Sequence, residues 1–373
     1  MRIAVLRERR PGERRVAMLP EFVPRLLSTG VEVVVETDAG AEMGIPDEAY
    51  RDAGARVLDD VFDADVVVSV QPINLATARA LAEGTVTISF LPTRQELPLV
   101  RRMRERKLTS FSMDLVPRTS RAQPMDAVTS QSMVAGYRAA IVAAERLPRF
   151  FPLLMTAAGT VEPATVLVLG AGVAGLQAIA TARRLGANVQ AYDVRRAAAE
   201  EVASLGARFL DLGLPPLEGE GGYAREMTEE RSLRQRELLA PYVADADVLI
   251  TTAAVPGRPA PLLVTSEMVE AMRPGSVVVD LVADQGGNVA GSVPGQELSV
   301  NGVLIWGGQN VPSQLPMQAS RLYSQNILNM LMLLLRDGEL RLDFDDEILA
   351  SACVTHAGEV RHRPTAELIP EVG

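Results

Sequence analysis

The stretch "TVLVLGAGVAGLQ", residues 165–177, joins an apolar run to three spaced glycines and a second apolar pattern. The short apolar run predicts a buried strand, and the residues after the glycines predict a helix. Gly170 permits a tight turn, Gly172 lets the backbone approach a pyrophosphate, and Gly175 lets the helix lie close to the sheet. Because a helix N-terminus also favours anions, the stretch predicts the start of a dinucleotide-binding unit.

A carboxylate follows this unit at the spacing that a dinucleotide site requires. Asp193 ends the next predicted strand, "ANVQAYD" (187–193), about 20 residues after the glycines. A carboxylate there accepts hydrogen bonds from both ribose hydroxyls and repels a 2′-phosphate, which favours NAD over NADP. Arg195 and Arg196 come next, and an arginine at this strand end could meet a 2′-phosphate, so NADP stays open as the alternative.

Apolar runs separated by helical patterns recur along the chain and predict two sheets of this kind. The strand candidates of the first sheet are residues 2–8, 31–37, 64–71, 85–91 and 108–114. After the glycine stretch, the second sheet continues at residues 246–253, 276–282 and 302–308. The predicted fold class is α/β, with two doubly wound Rossmann-like domains, parallel sheets and a cofactor cleft between the domains.

The domain boundaries follow from these patterns. Residues 1–125 and 315–373 are expected to form the N-terminal Rossmann-like domain, whose returning C-terminal segment contains an apolar helix at 319–335. Residues 126–147 carry a long helical pattern that stops just before Pro148, so we expect a linking helix there. Residues 148–314 form the predicted NAD-binding domain.

Composition excludes several classes of protein. The chain has 373 residues, 47% of them apolar, and a net charge of −10. This charge argues against nucleic-acid binding, which needs a concentrated basic face. The start has no secretory h-region, and the most apolar late stretch, residues 327–335, is roughly half of the ~20 residues that a membrane span needs. We therefore expect a cytoplasmic protein.

Groups that transfer protons are scarce. The chain contains one lysine, Lys107, one cysteine, Cys353, and two histidines, His356 and His362, and none of them lies near the glycine stretch. The two histidines fall in a polar C-terminal tail, where we expect solvent-exposed side chains. An enzyme that oxidises an alcohol or an amine must move a proton as well as a hydride. These residues leave open where the proton of such a reaction would go.

A polar stretch, "RTSRAQPMDAVTSQ" (118–131), precedes the predicted linking helix. Asp126 and Thr129 suit the first turn of that helix, so the pattern alone favours a helix N-cap. As a binding site, Gln123 would offer an amide to a nicotinamide carboxamide, and Arg118 would offer a fixed positive charge. Both interpretations stay open.

Several separate blocks of the chain resemble one family. They are "RTSRAQPMDAVTSQSMVAGYRAAI" (118–141), "VLVLGAGVAGLQAIATARRLGANVQAYDVR" (166–195), "GGYAREM" (221–227), "ITTAAVPGRPAPLLVTSEMVEAMRPGSVVVDL" (250–281) and "GGNVAGSVPG" (286–295). These blocks resemble the NAD(H)-binding alpha subunits (domain I) of proton-translocating NAD(P) transhydrogenases. The wider family also includes alanine dehydrogenase, and the resemblance covers essentially the whole chain.

The resemblance implies a two-domain subunit that forms a homodimer and binds NAD(H). Such a subunit exchanges hydride directly with NADP(H) held by a partner beta subunit. The exchange is coupled to proton flow through a separate membrane-spanning subunit. The resemblance thus implies a peripheral location on the cytoplasmic face of the inner membrane, through the partner subunits.

The resemblance also implies site residues. In the family a polar Arg–Gln–Asp loop contacts the nicotinamide, and its pattern matches Arg118, Gln123 and Asp126, with Thr129 where a serine is usual. A mobile loop that closes over the nucleotide through a tyrosine matches Tyr223. The expected cofactor-binding residues are Gly170, Ala171, Gly172, Val173, Ala174, Gly175, Asp193, Val194, Arg195 and Tyr223.

Two alternative functions remain. Alanine dehydrogenase resembles this chain at "GERRVAMLP" (12–20), where Arg15 could bind a carboxylate. That enzyme also uses a lysine and a histidine, whose positions match Ser69 and Pro92 here, and neither of these residues can act as a general acid or base. The second alternative is a non-catalytic NAD sensor, which would have no reason to keep the loops that carry Gln123 and Tyr223.

Overall fold

A computed structural model describes residues 1–217, 228–255, 258–336 and 338–369. The chain divides into two compact units. Unit 1 comprises Met1–Gln131 and Ser313–Gly373, and unit 2 comprises Ser132–Pro312. The division falls within the segment that the sequence assigns to a linking helix.

The strands are β1 (Arg2–Val5), β2 (Glu32–Glu36), β3 (Arg56–Leu58), β4 (Val66–Val68), β5 (Val86–Ser89), β6 (Thr109–Ser112), β7 (Leu154–Thr156), β8 (Gly159–Val161), β9 (Thr165–Leu169), β10 (Asn188–Tyr192), β11 (Arg208–Phe209), β12 (Val248–Thr251), β13 (Val277–Asp280), β14 (Glu297–Val300), β15 (Val303–Gly307), β16 (Leu335–Arg336), β17 (Glu339–Leu340), β18 (Cys353–His356) and β19 (Glu359–Val360).

The α-helices are α1 (Val23–Leu27), α2 (Asp47–Asp52), α3 (Leu75–Ala80), α4 (Leu97–Glu105), α5 (Ala127–Arg146), α6 (Val173–Arg184), α7 (Ala198–Ser204), α8 (Glu229–Asp245), α9 (Ser266–Glu270), α10 (Pro316–Leu334), α11 (Glu347–Ala352) and α12 (Arg363–Ala366). None of the helices in the described part of the chain combines the length and the apolar character that a membrane crossing needs.

Both units contain a largely parallel sheet with the same strand order. In unit 1 the order is β19-β18-β6-β5-β4-β1-β2-β3, and β1 to β6 run parallel. In unit 2 the order is β11-β10-β9-β12-β13-β15-β14, and only β14 runs antiparallel to its neighbour. In each sheet the six parallel strands have the doubly wound order 3-2-1-4-5-6. The predicted fold class of two parallel α/β units is confirmed.

The central parallel strands are buried on both faces, which explains their continuous apolar sequences. Val66–Val68 is fully buried, and so is "VLVL" at 166–169. Helix α10 adds a buried stripe to the core of unit 1 through Ile327, Leu331 and Leu334. Each of these side chains contributes about 2 kcal/mol by leaving water.

The C-terminal segment differs from the expected polar tail. It forms β18, which pairs antiparallel with β6, and β19, which pairs antiparallel with β18. His356 accepts or donates a hydrogen bond at Nδ1 with the Thr109 hydroxyl (3.0 Å), and its ring lies 4.7 Å from that of Phe344. His362 lies 2.6 Å from the Thr365 hydroxyl. Both histidines are half-buried rather than fully solvated, and burial lowers the pKa of each.

Candidate functional site

The three glycines of the turn after β9 have different physical reasons to be glycine. Gly170 has a φ of 97°, in the left-handed region that other residues avoid. A Cβ on Gly175 would lie 1.8 Å from the Gly170 carbonyl oxygen, so the helix can approach the strand only without a side chain there. A Cβ on Gly172 would meet nothing within 4 Å. Gly172 therefore borders open space rather than protein.

That open space lies at the start of α6. Helix α6 begins at Val173, and no side chain caps its N-terminus at Gly172. The first amides of a helix have no acceptor within the helix, and the macrodipole favours negative charge at this end. Val173, Ala174 and Gly175 are these residues. An uncapped helix end beside open space fits the pyrophosphate of a dinucleotide.

Asp193 lies at the end of β10 and is almost completely enclosed by hydrogen-bond donors. Its Oδ2 accepts the Ala171 N–H at 2.8 Å. Arg195 donates from its backbone N–H (2.8 Å) and Nε (2.9 Å) to Oδ1 and from Nη2 (3.0 Å) to Oδ2. The hydrogen bond with Asp193 raises the pKa of Arg195. A carboxylate has about four acceptor positions, so Arg195 occupies those that the sequence assigns to ribose hydroxyls.

The neighbouring residue Val194 is fixed by the backbone. Its carbonyl accepts the Leu217 N–H at 2.9 Å. Its partly buried side chain packs against the hydrophobic cluster that contains Leu169 and Tyr192. Tyr223, the remaining residue of the predicted nucleotide site, lies outside the described residues.

The segment that follows β12, the neighbour of β9 in the sheet, is fixed by residues that were not predicted from the sequence. The Thr252 hydroxyl donates to the Gly170 carbonyl at 2.9 Å. The fully buried Asn288 accepts the Ala253 N–H and donates to the Ala253 carbonyl, both at 2.9 Å. Asp280 accepts the Asn288 N–H at 3.0 Å, and burial raises the pKa of Asp280. The sequence shows only an asparagine after two glycines, "GGN" at 286–288, and its need for partners follows from its burial in the structure.

The polar loop of unit 1 combines a 3₁₀ turn with a helix start. The turn covers Gln123–Met125, and α5 begins at Ala127. Asp126 accepts the Thr129 N–H at Oδ1 (2.8 Å) and the Thr129 hydroxyl at Oδ2 (2.6 Å). Asp126 is therefore the N-cap of α5, with Thr129 at N3. The Arg118 and Gln123 side chains of the same loop are exposed, as groups that contact a ligand must be.

Arg15 and its neighbours in unit 1 form a buried network. The Arg15 guanidinium donates to Glu13 from Nε (2.8 Å) and Nη2 (2.7 Å) and to Gln131 Oε1 from Nη1 (2.9 Å). Its side chain is only 3% exposed. Burial opposes ionisation of Glu13, but the hydrogen bonds and charge of Arg15 outweigh it and lower the pKa of Glu13 to about 2. Arg15 thus points into unit 1 and has protein partners.

Two family models together match nearly the whole chain. The model described as Alanine dehydrogenase/PNT, N-terminal domain, matches residues 4–135. The model described as Alanine dehydrogenase/PNT, C-terminal domain, matches residues 139–363.

Individual relatives agree with the family models and are more specific. The first part of NAD(P) transhydrogenase subunit alpha from Rhodospirillum rubrum is 46% identical, over 97% of this chain and 98% of that protein. A transhydrogenase structure from Sinorhizobium meliloti superimposes with a TM-score of 0.86 at 42% identity, over 98% of this chain and all of the other. Alanine dehydrogenase from Bacillus subtilis is 29% identical, over 98% of this chain and 94% of that protein.

Proposed function

Since the chain belongs to the alanine dehydrogenase/PNT family, we propose that it is the NAD(H)-binding alpha subunit of an NAD(P) transhydrogenase. It exchanges hydride with NADP(H) held by a partner beta subunit. The observation that carries the proposal is the 46% identity to a transhydrogenase subunit over almost the full length, against 29% to an alanine dehydrogenase.

The residues that the sequence assigns to the nucleotide site support binding of NAD(H). The uncapped start of α6 and the open space over Gly172 accept the two phosphates. The ribose hydroxyls donate to Asp193 after the Arg195 guanidinium has moved aside. Gln123 pairs with the carboxamide of the nicotinamide, and Arg118 adds positive charge beside it. Ala171, Val173, Ala174, Gly175, Val194 and Tyr223 complete the proposed nucleotide site.

In this reaction the protein must position the nicotinamide rings and does not need to transfer a proton. When bound, NAD(H) donates or accepts a hydride at the nicotinamide ring, and exchange with a second nicotinamide leaves no atom to protonate. Both carboxylate oxygens of Asp126 accept hydrogen bonds from Thr129, so the role of Asp126 is to hold the loop and not to act as a base. Catalysis then consists mainly of orientation, which restricts the motion of the reacting rings.

Alanine dehydrogenase activity is the competing function, and the enclosed Arg15 argues against it. A carboxylate substrate would have to displace Glu13 and Gln131 from a guanidinium that is 3% exposed. The Ser69 hydroxyl donates to the Gln71 carbonyl at 2.7 Å, and Pro92 has no proton to give. We expect no alanine-dependent reduction of NAD+ by the purified chain. Turnover of alanine at an enzymatic rate would overturn the proposal.

A mixing experiment distinguishes a subunit that transfers hydride from a non-catalytic NAD sensor. The purified chain is combined with the NADP(H)-binding subunit of a relative, and reduction of an NAD+ analogue by NADPH is followed by absorbance. We expect transfer that requires both proteins. Binding of NADH without any transfer, with a partner that is active with its own alpha subunit, would favour the sensor.

The partners of the family complete the proposal. A membrane-spanning subunit couples hydride exchange to proton translocation and holds this chain peripherally on the cytoplasmic face of the inner membrane. Membrane vesicles that contain the two partner subunits should retain the chain, and vesicles without them should not.

We also propose that the chain is a homodimer. The β7–β8 hairpin pairs only with itself within the described residues. It exposes Met155 (78%), and the segment just before it exposes Phe150 (58%) and Leu153 (49%). Contiguous exposed apolar side chains favour association, and twofold symmetry would place the same hairpin on both sides. Leu153→Lys with Met155→Lys should give a monomer in sedimentation, whereas Leu233→Lys, at an exposed position of α8, should not. A dimer that survives the hairpin variant would contradict this interface.

A further inference from the structure

Two asparagines of α10 bind one carbonyl of the polar loop. Asn326 Nδ2 and Asn329 Nδ2 each donate to the Pro124 oxygen at 2.9 Å. Pro124 has no N–H, so its carbonyl is the polar backbone group through which this residue can be held. The two side chains lie three residues apart, on one face of the helix. Both acceptor positions of the Pro124 carbonyl are thus filled by one helix.

The orientation of both amides is set by further contacts. Asn326 is 6% exposed, and its Oδ1 accepts the Ser130 hydroxyl at 2.7 Å. Gln325 Nε2 donates to Asn329 Oδ1 at 3.1 Å. In each case the amide oxygen has a donor of its own, so the Nδ2 group must face Pro124.

Asn326 links a residue before Asp126 in the sequence to a residue after it. Pro124 lies in the 3₁₀ turn before Asp126, and Ser130 lies in the first turn of α5 after it. The amide therefore spans the loop between them and fixes the direction in which Gln123 and Asp126 leave the backbone. The same network continues through the Gln131 side chain, which donates to the Ser130 hydroxyl at 3.2 Å.

From this geometry we infer that Asn326 and Asn329 are positioning residues for hydride transfer. They hold the Pro124 carbonyl and thereby the Gln123 and Asp126 side chains at the nicotinamide. This inference rests on the proposed function, because it assumes that the Gln123 loop contacts the nicotinamide.

The test compares Asn326→Ala, Asn329→Ala and the double variant with Ser324→Ala. Ser324 lies on the same helix, is fully buried and accepts the Leu19 N–H at 3.0 Å, so its loss removes one buried hydrogen bond in which the loop takes no part. Three quantities are measured: hydride transfer with the NADP(H)-binding subunit, NADH affinity of the chain alone, and amide hydrogen exchange of residues 119–130.

Because each asparagine can hold the carbonyl without the other, we expect about a threefold slower transfer in either single variant. The double variant should lose more than the product of the two, about thirtyfold, with little change in NADH affinity. Its 119–130 amides should exchange faster without NADH, while Ser324→Ala keeps wild-type transfer and exchange in this segment.

Gln123→Asn, measured in parallel, separates two kinds of failure. If Gln123→Asn slows transfer and the double asparagine variant does not, or if Ser324→Ala slows transfer equally, the positioning inference is overturned and the proposed function stands. If neither Gln123→Asn nor the double variant affects transfer, the proposed role of the whole loop is overturned, and this inference with it.

Discussion

Arg195 donates three hydrogen bonds to the carboxylate of Asp193, from its backbone N–H, Nε and Nη2, at 2.8 to 3.0 Å. Its Nη2 also reaches the Ala171 carbonyl at 3.1 Å, beside the first glycine of the turn. The carboxylate that should select NAD(H) is thus neutralised by a neighbouring cation. We therefore expect selectivity between NADH and NADPH to depend on the balance of these two charges.

This balance predicts opposite effects of two substitutions. Arg195→Ala leaves an uncompensated negative charge beside the 2′ position, so we expect the preference for NADH over NADPH to rise about tenfold, or ~1.4 kcal/mol. Asp193→Asn leaves the positive charge and should reduce the preference by a similar factor. Nucleotide fluorescence titrations with the chain alone give both affinities. Equal changes of selectivity in the same direction would contradict this account.

The glycine turn predicts that folding and binding can be separated. Gly172 has φ −76° and ψ −168°, an extended conformation open to any residue, and it borders empty space. Gly172→Ala should therefore keep the melting temperature and weaken NADH binding tenfold or more, about 1.4 kcal/mol, by obstructing the phosphates. Gly175→Ala should instead destabilise the fold by about 3 kcal/mol or more, because the Cβ overlaps the Gly170 carbonyl. Calorimetry and NADH titration of both variants check the contrast, and wild-type binding by Gly172→Ala would refute it.

Thr129 should act through its hydroxyl. Thr129→Val removes the hydrogen bond to Asp126 Oδ2 at nearly constant volume and should cost about 1 kcal/mol of stability. Hydride transfer should slow several-fold, since Asp126 loses one of its two restraints. Thr129→Ser keeps the hydroxyl and should restore both properties. A valine variant that transfers hydride at the rate of the serine variant would show that this hydrogen bond has no role in the reaction.

Glu8 predicts a pH dependence of stability in unit 1. Its half-buried side chain lies beside the end of β4, and its carboxyl accepts the N–H groups of Val70 (2.5 Å) and Gln71 (3.2 Å). Burial raises the pKa of Glu8 from 4.5 to about 8. A raised pKa means that its stabilising contribution is complete below pH 4.5 and is lost as the pH rises to about 8.

The Glu8→Gln variant isolates this effect, because it cannot ionise. Relative to wild type, it should gain up to about 1.4 kcal/mol per pH unit between pH 5 and 8 and no more above that range. Denaturant unfolding at each pH measures the difference. Glu48→Gln, at an exposed position, serves as the control and should run parallel to wild type. A Glu8→Gln curve that also runs parallel would show that Glu8 ionises normally in the folded chain.

Local signals in the sequence were sufficient for the fold and for the glycine turn. Parallel strands buried on both faces must be apolar throughout, so "VLVL" and its counterparts were visible. The turn needs Gly170 and Gly175 for backbone reasons that depend only on the adjacent strand and helix. Asp126 was likewise expected as an N-cap from its neighbours, and the structure shows this hydrogen bonding.

The missed features depend on residues distant in sequence. The C-terminal strand β18 needs the edge of β6 as a template, and its own polar residues did not indicate this pairing. The contact between Asn326 and Pro124 joins residues 202 positions apart. The Arg195–Asp193 pair is local, but it depends on a long side chain folding back, which a residue pattern does not specify.

On the proposed function, this chain passes hydride directly between two nicotinamide nucleotides without a proton step. Deuterium at the transferred C4 position of NADH tests it most directly, with the purified chain, its NADP(H)-binding partner and NADP+ in ordinary water. We expect mass spectrometry to find the deuterium retained in the NADPH formed, at a rate independent of added alanine or pyruvate. Loss of the label to water, or a requirement for either of these compounds, would contradict the claim.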